Sequence, residues 1–121
     1  MELTPLVQPG QQVIESYGPS GFRVSGETYR GSILVFPDRT VTWAGAAMTE
    51  AALAPVVEHG GIELLLLGLG ARMAPVAAAL RIALKAHGIA VEAMDTGAAC
   101  RTYNVLLAED RHVAAALLPP V

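Results

Sequence analysis

Between residues 95 and 104 the chain sets out Asp95, Thr96, Cys100, Arg101, Thr102, Tyr103 and Asn104: an acid, two hydroxyls, the only thiol, a guanidinium, a phenol and an amide. Groups of these types carry nucleophilic, acid–base or anion-binding chemistry. A cysteine near a helix N-terminus and beside an arginine has the setting that stabilises a thiolate. Asp95, leaving a strand, is placed to bind a polar ligand or to take a proton. Upstream, Gly68-Leu69-Gly70 and Arg72 offer a tight turn and an anion-pairing guanidinium near a helix start. Gly68, Gly70, Arg72, Asp95, Thr96 and Cys100 together form the candidate ligand pocket.

Each of these groups also has a structural use. Asp95 and Thr96 stand where a strand hands over to a helix, the place of side chains that satisfy unpaired backbone N–H groups. At about 100° per residue, Cys100 shares a helical face with Ala99, Tyr103 and Leu107, and a free cysteine there is a small hydrophobe. It lies about one turn into the helix, where the dipole has mostly faded. Tyr103 is expected in the core with its hydroxyl tied to a backbone group. Asn104 is expected to bond a neighbouring loop, and Arg101 and Thr102 to face solvent. The glycine turn is a weak phosphate signature, because Met73 stands at the third glycine of G-x-G-x-x-G and no G-K-[ST] follows. A structural cysteine and a capping Asp95 are the expectation, with no catalytic residue assigned.

Other constellations are thin. His59 and His87 each precede a glycine at a helix end, and His112 stands alone. With one cysteine and no H-x-x-x-H or C-x-x-C spacing, neither a zinc site nor a cofactor is expected. The sequence contains no G-x-S-x-G elbow and no carboxylate pair of the glycosidase type that could be identified.

The elements that must position these groups form one domain over residues 1–121, with a β-rich meander at about 11–44 and an α/β part at about 49–118. Val13–Tyr17 is a predicted strand closed by Gly18-Pro19-Ser20-Gly21. Phe22–Val24 and Glu27–Arg30 alternate about Ser25-Gly26 as a hairpin, and Ser32–Phe36 pairs with Arg39–Trp43. Thr49 caps a helix over Glu50–His59, which Pro55 kinks or shortens and Gly60-Gly61 ends. Ile62–Leu67 reads as a buried strand. Pro75 and Gly88 bracket a helix with Val76, Leu80, Ala83, Leu84 and His87 on one stripe. Ile89–Met94 is a strand, a helix runs from about Ala98 to Ala108, and Arg111–Leu118 is either strand or helix. A β-α-β unit from Leu64 to Met94 puts Gly68, Gly70, Asp95 and Thr96 at the carboxyl edge of parallel strands, where open α/β sheets bind ligands.

Composition excludes some partners. A net charge of -3 and a pI near 5.5 argue against nucleic acid, and the scattered lysines and arginines give no polybasic membrane patch. The 53% hydrophobic content is inflated by 21 alanines. Its longest apolar run falls far short of the ~20 residues of a membrane span. Met1–Pro5 has neither a basic nor an apolar signal region, so no signal peptide is expected. A lone cysteine fits a reducing compartment, and the expected location is cytoplasmic.

The block Glu92–Thr96, Ala98–Glu109, Arg111 and Val113–Leu117 resembles the C-terminal signature of the domain-of-unknown-function-498 family, which includes mitochondrial complex I assembly factors. Tyr17-Gly18, Gly21–Val24, Trp43 and Leu65–Gly70 agree with it. The resemblance implies an α/β, three-layer fold with a mixed central sheet, helices on its faces and an N-terminal antiparallel β layer. It also implies a final strand antiparallel to the others. For function it implies a non-catalytic interaction or assembly role through a protein partner or self-association. The alternative, from the predicted edge, is a small-molecule or anion-binding protein or enzyme.

Overall fold

The computed structural model describes residues 10–44, 48–71 and 74–120. Its elements are β1 (Ile14–Gly18), β2 (Gly21–Val24), β3 (Glu27–Arg30), β4 (Ile33–Val35), β5 (Thr40–Thr42) and α1 (Ala54–His59). There follow β6 (Leu64–Leu69), α2 (Ala78–Lys85), β7 (Ala90–Met94), α3 (Thr96–Ala108) and β8 (Val113–Leu118).

Turn chemistry makes the first sheet, β1-β2-β3, antiparallel throughout. Ser25 and Gly26 between β2 and β3 have φ of 45° and 85°, the double left-handed requirement of a type I′ hairpin turn. Gly21 is needed for a different reason. A Cβ there would lie 2.0 Å from the Tyr29 carbonyl oxygen, so only glycine lets these strands approach.

The expected meander divides between two sheets. β4 and β5 form a hairpin that belongs to the central sheet, of order β5-β4-β8-β6-β7. The last segment resolves as a strand, but its direction differs from the one the resemblance implied. β8 is antiparallel to β4 alone and parallel to β6. The cause is α3, a crossover that returns the chain to the end of the sheet from which β6 and β7 also start.

The continuous apolar sequence of β6 follows from burial on both faces. Leu66 packs with Cys100, Tyr103, Leu107, Ile14 and Phe22, on the face covered by α3 and the small sheet. Leu65 and Leu67 pack with Leu53, Val56, Leu80 and Leu84, on the face covered by α1 and α2. Ala114, Ala115 and Ala116 of β8 are fully enclosed between the same layers.

Helix boundaries follow local signals with two shifts. The Thr49 hydroxyl accepts from the Ala52 N–H at 3.1 Å, but that turn closes and α1 begins afresh with Pro55 in its first turn. Proline has no N–H to lose there. The second helix starts at Ala78 rather than Pro75 and buries Leu80 and Leu84, while His87 is exposed. Gly88, at φ 76°, closes it as expected. The Gly88 and Ile89 N–H groups bond the Lys85 and Leu84 carbonyls at 2.9 and 3.0 Å, a Schellman arrangement.

Candidate functional site

The β-α-β geometry does bring Gly68, Gly70, Asp95 and Thr96 to the carboxyl edge of β6 and β7, and their polar groups are spent on one another. Asp95 Oδ1 accepts from the Ala98 N–H at 2.9 Å and caps α3, which therefore starts at Thr96, ahead of the expected Ala98. The buried Thr96 hydroxyl accepts from the Gly70 N–H at 2.9 Å and donates to the Leu118 carbonyl at 2.5 Å. The Thr96 N–H adds a bond to the Gly70 carbonyl at 2.8 Å. One side chain thus ties the ends of β6, β7 and β8 together. Space at the edge is equally committed: a Cβ on Gly68 would lie 2.8 Å from Leu117 and 3.1 Å from the Thr96 backbone. Arg72 lies outside the described residues.

Cys100 is fully buried beside Ala99, Tyr103 and Leu107. Burial pushes its thiol up to about 12, with Arg101 opposing and Asp95 adding to the rise. The thiolate needed for attack is therefore scarce at neutral pH. A thiol reagent at pH 7.5 is expected to label the native chain at least ~100-fold more slowly than the unfolded chain. Equal rates would contradict the assignment.

Two neighbours differ from expectation. The Tyr103 hydroxyl, expected to bond a backbone group, is buried without a hydrogen-bond partner among the described residues. Its ring is held by the packing of the α3 face, and desolvation raises its pKa. Asn104 bonds a strand rather than a loop. Its Oδ1 accepts from the Ile14 N–H at 3.1 Å and its Nδ2 donates to the Ile14 carbonyl at 2.8 Å. Arg101 faces outward as expected, donating to the Tyr17 hydroxyl at 3.1 Å.

A second polar cluster forms at the opposite, amino-terminal edge of the parallel strands, and sequence reasoning missed it. A cavity of about 350 Å³ there is lined by residues including His59, Gly61, Ile62, Leu107, Arg111 and His112. The His59 ring stacks on Phe36, with centroids 4.3 Å apart and planes 1° from parallel. Its Nε2 lies 2.6 Å from Asp38 Oδ1 and its Nδ1 2.9 Å from the Gly60 carbonyl. An acceptor stands beside each ring nitrogen, and the neutral imidazole donates its single N–H to one of them. The bond from His59 is the main reason the Asp38 carboxyl sits below its usual range. The stabilising contribution of Asp38 is present above the ordinary carboxylate pKa of about 3.9 and is lost as pH falls through the lower folded value. His112 Nδ1 meets the Gly61 carbonyl at 3.2 Å. The one legible signal is Gly60-Gly61, which reads from the sequence only as a helix stop; φ of 78° and 79° lets these two residues turn their carbonyls toward the two rings.

Among the described residues, no group of three or more His, Cys, Asp or Glu side chains is arranged to hold a metal ion, and no helix is long and apolar enough to cross a membrane.

This architecture, a mixed five-stranded sheet sharing one face between a helix and a small antiparallel sheet, is that of Mth938-like domains. The solution structure of such a domain from Bordetella pertussis covers 98% of this chain and 92% of its own, with a TM-score of 0.80 at 29% identity. A crystal structure described as an outer membrane protein from Bartonella henselae gives a TM-score of 0.83 at 40% identity, covering 93% of this chain and 98% of that one. The chain belongs to the family of proteins of unknown function DUF498/DUF598, whose model matches residues 14–118. An uncharacterised protein of Rhodobacter capsulatus is 41% identical over 91% of this chain and 86% of its own. NADH dehydrogenase [ubiquinone] 1 alpha subcomplex assembly factor 3 of Danio rerio is 39% identical over 89% of this chain, and the match spans 64% of that protein's length. The human protein of that name is 33% identical over 88% of this chain and 60% of its own.

Proposed function

We propose that the chain is a non-catalytic interaction domain that assists assembly of a respiratory NADH dehydrogenase from the cytoplasmic side. The observation that carries this reading is the match, over nearly the whole chain, to relatives named as assembly factors of that enzyme. One physical feature supports it. The segment richest in reactive groups has its polar atoms committed to caps and cross-links, which leaves its acid and its thiol poorly placed for chemistry. Ile82 on α2 and Val105 on α3 are exposed, at 70% and 57%, on opposite sides of the central sheet.

Affinity capture of the tagged chain from its native lysate at near-physiological expression tests this reading. Subunits of NADH dehydrogenase, or other proteins that assemble it, are the expected co-purifying species. Recovery of none of them would contradict the proposal.

A further inference from the structure

We infer that the cavity at the amino-terminal edge binds a small molecule through its carboxylate or phosphate group, with Arg111 and His112 as the contacting side chains. This goes beyond the assembly role and does not depend on it. The volume of about 350 Å³ falls at the small end of ligand sites. Pro37, Ile62 and Leu107 give it apolar walls, and His59, Arg111 and His112 supply the convergent polar groups, the usual composition of a ligand pocket.

The unspent donors there belong to Arg111. Arg111 forms no ion pair among the described residues, so its planar fork is free for a carboxylate or phosphate. A carbonyl only accepts, so the contact with Gly61 places the proton of neutral His112 on Nδ1. His112 Nε2 has no partner among the described residues and, as an acceptor, meets a hydroxyl of the ligand such as the P–OH of a phosphate. His59 has a different part. Stacked on Phe36, with Asp38 Oδ1 and the Gly60 carbonyl beside its two nitrogens, it is a fixed wall.

Charge sets the expected strength. The cavity is lined by one further acid, Asp110, at a left-handed φ of 60°. It offsets Arg111, so the site attracts an anion by directed hydrogen bonds rather than by a net positive field. Such binding is weak, with a dissociation constant of about a millimolar.

Amide chemical shifts of the full chain, titrated with inorganic phosphate, with succinate and with sodium chloride at matched ionic strength, decide the matter. Saturable shifts confined to residues 60–62 and 110–112 are expected with phosphate or with succinate, and none with chloride. Saturation by phosphate alone assigns a phosphate-type ligand, and by succinate alone a carboxylate-type one. Arg111→Gln, an exposed position, is expected to weaken the saturating anion at least five-fold while the melting temperature holds. Linear or dispersed shifts, saturation by chloride, or an Arg111→Gln variant that binds as well as the parent would overturn the inference.

Discussion

Replacing Thr96 by valine is expected to cost about 3 kcal/mol and to lower the melting temperature by roughly 10 °C. Valine keeps the volume and branching, so packing against Gly68 and Leu117 is undisturbed and the hydroxyl alone is lost. That hydroxyl serves two main-chain groups on different strands, the Gly70 N–H and the Leu118 carbonyl. Gly70 is buried and Leu118 half-buried, so water does not fully replace the lost bonds. Each buried polar group left unpaired costs about 1–3 kcal/mol, whereas a satisfied neutral hydrogen bond contributes only about 1. Thr96→Ser, which keeps the oxygen, is expected to lose no more than about 1 kcal/mol. Thermal melts of the three proteins give the comparison. A valine variant within about 1 kcal/mol of the parent would show that the strand ends are held by other means.

The second large effect is expected at Asn104. Replacement by leucine is expected to cost about 3 kcal/mol, because it strands both the N–H and the carbonyl of Ile14, a residue with no exposed surface. The position of this bond matters. β1 breaks its register against β2 between Ile14 and Ser16, and at that irregularity the Asn104 amide supplies both the acceptor and the donor. The small sheet is thereby fastened to α3 across 90 residues of chain. Hydrogen exchange reports it directly: the Ile14 amide is expected to be protected in the parent and to exchange readily in Asn104→Leu, with β7 amides little changed. Retained protection at Ile14 would contradict the bridging role.

These two residues also show where sequence reasoning stops. Asp95 was legible as a cap because its cause is local, an acidic side chain between a strand and a helix, three residues before the N–H it accepts. Cys100 was legible because helical spacing alone assigns it to the apolar face. Thr96 was half legible. Its place at the junction could be read, but its bond to Leu118 requires β8 to lie beside and parallel to β6, whereas the residues of that segment left strand or helix open and the resemblance implied an antiparallel strand. Asn104 was expected to bond something nearby, and nothing in its surroundings names Ile14. Asp38 and His59 lie 21 residues apart and His112 and Gly61 51 apart. Taken singly, those histidines had only a helix end, or no element at all, to explain them.

The fold itself divides in the same way. The Ser25-Gly26 hairpin, the β-α-β unit and the Gly88 helix end rest on period, turn type and left-handed φ, all carried by neighbouring residues. The split of the N-terminal strands between two sheets does not. β4 joins the central sheet because Ile33, Leu34 and Val35 pair with Leu117, Ala116 and Ala115, and that pairing is decided 80 to 84 residues away. Its continuous apolar sequence, suited to a strand covered on both faces, was the only local hint.

Deleting the gene and measuring assembled NADH dehydrogenase on native gels tests the central claim most directly, namely that the chain acts through contacts rather than through chemistry at residues 95–104. The assembled enzyme is predicted to fall in the deletion strain and to be restored equally by the parent chain and by Cys100→Ala. An unchanged level without the protein, or a folded Cys100→Ala variant that fails to restore it, would contradict the account.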